Sequence, residues 1–222
     1  MYWICGSPCA GKSSIAALLA ARHGLVHFER DAGTDRRLAR MAASPPPAFA
    51  ELTELGTCER LARPPHWQAS REVSFYHEQF DFLLEEIPAS PRVLIEGADL
   101  LPELLWRIGV PPERAIWVVP TPEFQLSTYR RRDWVAPYMK DCADPAQAFA
   151  YWMRRDILFA RHVRQQAAAL GGTVVVVDGS RSVAEIADLI GDHSRIIARH
   201  LVPHFSRGCS GRRVAASALG AV

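Results

Sequence analysis

The chain of 222 residues is short of most features that mark specialised protein classes. No apolar run reaches the roughly 18 residues that a membrane-spanning helix needs, so no such helix and no membrane partner are expected. The first twenty residues are not expected to be a secretory leader. Lys12 and Pro/Gly breaks interrupt them, and no basic segment comes before the apolar one. There is little net charge: 26 Lys and Arg against 24 Asp and Glu leave +2. That offers no concentrated basic face and argues against a nucleic-acid partner. The five cysteines, at 5, 9, 58, 142 and 209, form no C-x-x-C pair. An odd count in a chain of this size predicts neither a disulfide framework nor a zinc ribbon, and fits a reducing cytoplasm. His200 and His204 sit four apart, but Pro203 between them spoils a helical metal pair. No internal repeat occurs. What is present is ordinary for a globular protein: 49% hydrophobic and 23% charged residues exclude wholesale disorder. The length suits one domain, at roughly 100–200 residues each.

Apolar runs alternate with helical patterns. Strands are expected at 2–5, 25–28, 92–96, 115–119 and 173–177, where aliphatic residues cluster between turn residues. Helices are expected at 12–23, stopped by Gly24, and along a stripe through Val73, Tyr76, Phe80, Leu83 and Ile87. A third is expected from Pro145 to about Leu170, with Asp144 as N-cap. Ser182 to Glu185 is a capping-box pattern that opens a last helix. Residues 31–65 look less regular, and Ser44-Pro45-Pro46-Pro47 reads as a break. Strands alternating with helices argue for an α/β fold whose parallel sheet is covered on both faces.

The turn after the first strand is Gly6-Ser7-Pro8-Cys9-Ala10-Gly11-Lys12-Ser13-Ser14. It fits G-x-x-x-x-G-K-[ST] in full, between a strand and a helix. Glycines permit the torsions that turn successive N–H groups inward as an anion nest. The helix that follows adds its positive N-terminal end. Lys12 then reaches the β- and γ-phosphates of a nucleotide, and the Ser13 hydroxyl ligates Mg²⁺. Cys9 fills a small position in this loop.

Phosphate loops serve GTPases, transport ATPases and kinases, and the rest of the site must choose. No Asn-Lys-x-Asp guanine motif occurs. The third strand ends in Glu, as Val93-Leu94-Ile95-Glu96-Gly97, and not in a Walker B Asp. Together with Asp31 after the second strand and Arg130–Arg132, these residues resemble the small P-loop kinases. That group includes shikimate, gluconate, 2-phosphoglycerate, uridine and chloramphenicol phosphotransferases. Leu94 to Pro102 is most similar to the 2-phosphoglycerate kinase-like branch. The resemblance covers about residues 2–193.

The resemblance implies a three-layer α/β/α sandwich with a five-stranded parallel sheet ordered 2-3-1-4-5. It implies an ATP- and Mg²⁺-dependent phosphotransferase acting on a small-molecule hydroxyl. Asp31 would orient that hydroxyl and accept its proton. Glu96 and Gly97, at the ligand-binding edge of the sheet, would face substrate, with Glu96 near the metal. Arg130 and Arg131 belong to a lid at about 128–145 that would close over ATP. Gly179 and Arg181 lie in the loop beside the base. The acceptor segment, about 31–71, contains Arg36, Arg37 and Arg40, suited to an anion. Trp67 there could stack on a ring. Residues 1–193 are expected to be the kinase domain, as a monomer or homodimer, and 194–222 a weakly structured tail. A nucleoside or nucleotide kinase is the enzymatic alternative, and a non-catalytic nucleotide-binding switch is the alternative of another class.

Overall fold

A computed structural model describes residues 1–193, and the tail expected at 194–222 lies outside the described residues. The elements run β1 (Tyr2–Gly6), α1 (Lys12–His23), β2 (Val26–Glu29), a 3-10 turn (Arg30–Gly33) and α2 (Thr34–Ala42). Then come α3 (Pro47–Glu54), α4 (Thr57–Ala62), α5 (Pro65–Glu86), β3 (Val93–Gly97) and α6 (Pro102–Arg107). After a second 3-10 turn (Pro112–Arg114) follow β4 (Ala115–Pro120), α7 (Pro122–Arg130), α8 (Val135–Tyr138), α9 (Pro145–Ala169), β5 (Thr173–Val177) and α10 (Val183–His193).

The five strands are all parallel, in the order β2-β3-β1-β4-β5. This is the α/β/α architecture and strand order expected. Their carboxyl ends therefore share one edge, where open α/β sheets bind ligands. Alternation along each strand feeds two cores. Trp3, Cys5, Val93, Ile95, Trp117 and Val119 pack with α5, α6 and α9 on one face. Tyr2, Ile4, Leu94, Ile116, Val118 and Val175 pack with α1 and α10 on the other. A third cluster joins Cys9, Leu61, Tyr129, Val135, Met139 and Trp152 beside the loop after β1.

Two expectations need correction. The stretch 31–65 holds three helices, α2 to α4. The proline run read as a break is a helix start: α3 opens on Pro47, as α5, α6, α7 and α9 also open on proline. Proline loses nothing there, because an N1 amide has no helical partner. Nor are the cysteines all free, because Cys58 on α4 and Cys142 before α9 form a disulfide across 84 positions. Spacing along the chain could not show a pairing that only the third cluster brings together. Among the described residues, no helix is long and apolar enough to cross a membrane.

Candidate functional site

The loop between β1 and α1 owes its shape to three residues with positive φ: Gly6 (122°), Cys9 (62°) and Gly11 (79°). A Cβ on Gly6 would run into the backbone carbonyl of Val118, the same carbonyl that accepts a hydrogen bond from Ser7 N at 3.1 Å. Glycine is thus required there, and β4 props the loop from below. Cys9 adopts a left-handed conformation that costs a residue with a Cβ roughly 1–2 kcal/mol. No side chain caps α1. Its first amides are left for a ligand, with the helix dipole's positive end beside them. The hydroxyl of Ser7 is fully buried and, among the described residues, has no hydrogen-bond partner.

Lys12 Nζ donates to the Ser7 carbonyl at 2.8 Å, folded back over its own loop. Loss of water lowers the lysine's pKa, and the Glu96 carboxylate opposes that shift. Ser13 Oγ donates to Glu96 Oε1 at 3.1 Å, so the hydroxyl and carboxylate expected near a metal are already neighbours. Burial pushes the Glu96 carboxyl up, against the pull of Lys12 and the Ser13 hydrogen bond. Gly97 is needed for close approach, because a Cβ there would lie 2.6 Å from Asp99 Oδ1 and 3.3 Å from Arg30 Cβ.

Asp31 stands on the 3-10 turn after β2, its side chain 82% exposed and paired with Arg30 at 2.6 Å. Its charge is felt by both Lys12 and Glu96. Arg30 also pairs with the buried Asp99 at 2.6 Å, and Gln79 of α5 donates to the same carboxylate at 2.8 Å. Burial depresses the Arg30 guanidinium's pKa, but the Asp99 carboxylate, together with Tyr76 and the hydrogen bonds to Asp99 and Asp31, more than reverses this. A second network lies deeper. Arg155 of α9 pairs with Asp156 at 2.7 Å and with Glu72 of α5 at 3.3 Å. Tyr129 donates to Asp156 and Tyr76 to Glu72, each at 2.7 Å. Burial raises the Asp156 carboxyl, and Arg155 opposes it. Sequence reasoning missed Arg30, Glu72 and Asp99 as site residues, since the pairings Arg30–Asp99 and Glu72–Arg155 join residues far apart in the chain.

These networks floor a cavity of about 370 Å³ walled by α2, α3, α4 and α5 and by Tyr138 and Arg155. Trp67 lines it, and Arg63 stacks on that ring at 5.6 Å. The basic cluster at 36–40 does not line it. Arg36 is 71% exposed and reaches Glu86, Arg37 is wholly buried against Glu86 and the Arg30 carbonyl, and Arg40 pairs with Glu85. Arg36 is therefore withdrawn as an acceptor ligand. Its helix turns it away from the cavity, toward the end of α5.

Arg130 and Arg131 are exposed at the end of α7. Arg132 is exposed as well, but its guanidinium lies over Tyr129 at 5.4 Å and Trp134 at 5.8 Å, and its charge reaches Cys9 of the loop. Gly179 (φ 89°) and Arg181 follow β5, where Asp178 and the Ser182–Glu185 capping box shape the turn. Arg181 lines a small cavity of about 130 Å³ there.

The donor set fits a magnesium nucleotide. The orphaned Ser7 hydroxyl, the uncapped α1 and Lys12 suit phosphate oxygens, and Ser13 with Glu96 suits Mg²⁺. Among the described residues no group of three or more His, Cys, Asp and Glu could hold a metal alone. Magnesium commonly takes few protein ligands and completes its shell with phosphates and water.

No family model matches the chain, and no curated protein matches it. Among solved structures it is similar to a protein of Chloroflexus aurantiacus J-10-fl that is provisionally named a kinase. The two share 15% identity over 86% of this chain and 96% of that one, with a TM-score of 0.37. A likeness that distant carries no functional argument, and the site must be judged on its own geometry.

Proposed function

We propose that the protein is an ATP-dependent phosphotransferase that moves the γ-phosphoryl group to a hydroxyl of a small molecule. The observation that carries this reading is one juxtaposition. A Gly6–Ser13 loop holding Lys12 lies at the same sheet edge as the Ser13–Glu96 pair and Asp31, with a separate cavity alongside. A nucleotide-binding switch would need the loop but not an acceptor-side carboxylate beside a second cavity.

In this reading the loop amides and Lys12 hold the phosphates, and Ser13 and Glu96 hold Mg²⁺, which supplies charge neutralisation when bound. Asp31 orients the acceptor hydroxyl. The acceptor oxygen bonds to the γ-phosphorus as the bond to the ADP oxygen breaks, and the hydroxyl proton passes to the Asp31 carboxylate. Transition states of this kind are loose, so positioning counts for more than a strong base. Residues 31–71 and 65–86 form the acceptor side and 128–145 the lid. Arg132, on Tyr129 and Trp134, is better placed than Arg130 or Arg131 to bring charge to the loop. The test is direct: Mg²⁺, γ-labelled ATP and a fractionated panel of sugars, nucleosides, hydroxy acids and hydroxylated antibiotics. Label should move to one class. ATP bound tightly with no transfer to any member would favour the switch.

A further inference from the structure

The cavity lined by Arg30, the residue that pairs with Asp31, has chemistry that narrows the acceptor. Three arginines line it: Arg30, Arg60 and Arg155. Two are already neutralised. Arg30 spends its charge on Asp99 and Asp31, and Arg155 on Asp156 and Glu72. Arg60 is different. Its guanidinium is held only by the Leu52 carbonyl at 3.5 Å and the Thr57 hydroxyl at 3.4 Å, both long contacts. Among the described residues it has no carboxylate partner. A cation in a cavity wall with no counter-charge is stabilised by an anionic ligand, and a guanidinium matches carboxylate or phosphate geometry.

Between Arg60 and Arg30 the lining mixes the polar Thr34 and Gln68 and the Arg155-paired Glu72 with aromatic faces. Phe49 and Phe75 stack with centroids 6.3 Å apart, and Tyr76 and Trp67 add further ring faces. About 370 Å³ lies at the lower end of small-molecule sites, which run roughly 300–1,000 Å³. We infer that the acceptor is a small amphipathic anion: an apolar or aromatic body with a carboxylate or phosphate at Arg60 and the reacting hydroxyl toward Asp31. This inference rests on the phosphotransferase reading above and specifies its substrate.

The test uses three probes with one body: 4-(hydroxymethyl)benzoate, 4-(hydroxymethyl)phenyl phosphate and the neutral 4-(hydroxymethyl)benzamide. Each is offered to the full chain with Mg²⁺ and γ-labelled ATP, and each is also titrated calorimetrically without ATP. At least one anion should bind and be phosphorylated in preference to the amide, and the tighter of the two separates carboxylate from phosphate recognition. Arg60→Gln should weaken the anion roughly 10- to 100-fold, the worth of one charged hydrogen-bonded contact. It should leave the KM for ATP and the binding of the amide unchanged, and Arg60→Lys should restore part of the loss. An unchanged ATP KM also shows that the variant is folded. Anion binding that depends on Arg60 without label transfer would support the inference and sink the phosphotransferase reading. Transfer to the amide as readily as to the anions would do the reverse. Absence of any binding, or a preference indifferent to Arg60, would overturn the inference.

Discussion

The Cys58–Cys142 disulfide closes a loop of 84 positions, and the effect of its removal can be calculated from that length. One half sits on α4, which forms part of the cavity wall. The other sits between α8 and α9, in the segment assigned to the lid. In the chain-entropy account, a link over this separation removes about 15 cal/mol/K from the unfolded ensemble, or about 4–5 kcal/mol at room temperature. Measured bridges usually deliver somewhat less, about 2–4 kcal/mol. For a domain of this size that is a fall in Tm on the order of 10 °C. It corresponds to roughly 1–2 M in urea midpoint if m is about 2 kcal/mol/M. The assay compares urea unfolding of the oxidised chain, the chain in dithiothreitol, and Cys58→Ala/Cys142→Ala. The last two should coincide, both well below the first. Mass spectrometry after alkylation in denaturant should find Cys5 and Cys9 modified and Cys58 and Cys142 protected in the oxidised protein, and all four modified after reduction. Alkylation of Cys58 and Cys142 before reduction, or identical midpoints with and without dithiothreitol, would refute the reasoning.

Other expectations follow from the buried charges. Burial raises the folded-state pKa of Glu96 above its unfolded value, so ionised Glu96 costs stability as pH rises through and above the carboxylate range. Glu96→Gln should therefore raise the Tm of the ligand-free protein at neutral pH, with the gain vanishing in acid, while phosphotransfer is lost. A Tm unchanged at neutral pH would contradict this. Arg155→Met should destabilise by about 3–5 kcal/mol in urea, because the wholly buried Asp156 and most of Glu72 lose their cation. Adding Asp156→Asn should recover part of that loss, and failure to recover any would show the pair to be unimportant. Asp31→Asn should lower kcat far more than it raises the KM for ATP, because Asp31 is exposed and, among the described residues, pairs with Arg30 alone. Equal losses in both would make Asp31 structural.

The strands and long helices were legible because each carries its own local signal. The valine run of β5 is one such signal, and the Asp144 side chain caps α9 through Gln147 N at 2.9 Å, as its sequence context suggests. Helices α2 to α4 were not legible, because their support is tertiary. The amides of Ala48 and Phe49, at the start of α3, are capped by the carboxylate of Glu78 on α5, thirty residues away. A local capping rule has nothing to find there. Gly56 with Glu59 was a findable signal for α4, since that glutamate accepts from the Gly56 amide at 2.8 Å. The loop residues and Glu96 stand out because a motif fixes their spacing. Arg30, Arg60, Glu72 and Asp99 do not, because their roles depend on which helix faces the cavity. Arg36 misled for the same reason: one helical position separates it from the buried Arg37, and neither side chain reaches the cavity.

The central claim is that Lys12 and its loop serve transfer of a phosphoryl group. The measurement that tests it most directly is label transfer from γ-labelled ATP to the accepted probe, in the wild-type chain and in Lys12→Ala. Folding is checked in parallel by circular dichroism. The account predicts a folded variant whose transfer rate falls by at least two to three orders of magnitude, the scale of losing one charge-stabilising donor. A folded Lys12→Ala that phosphorylates acceptor at the wild-type rate would contradict it.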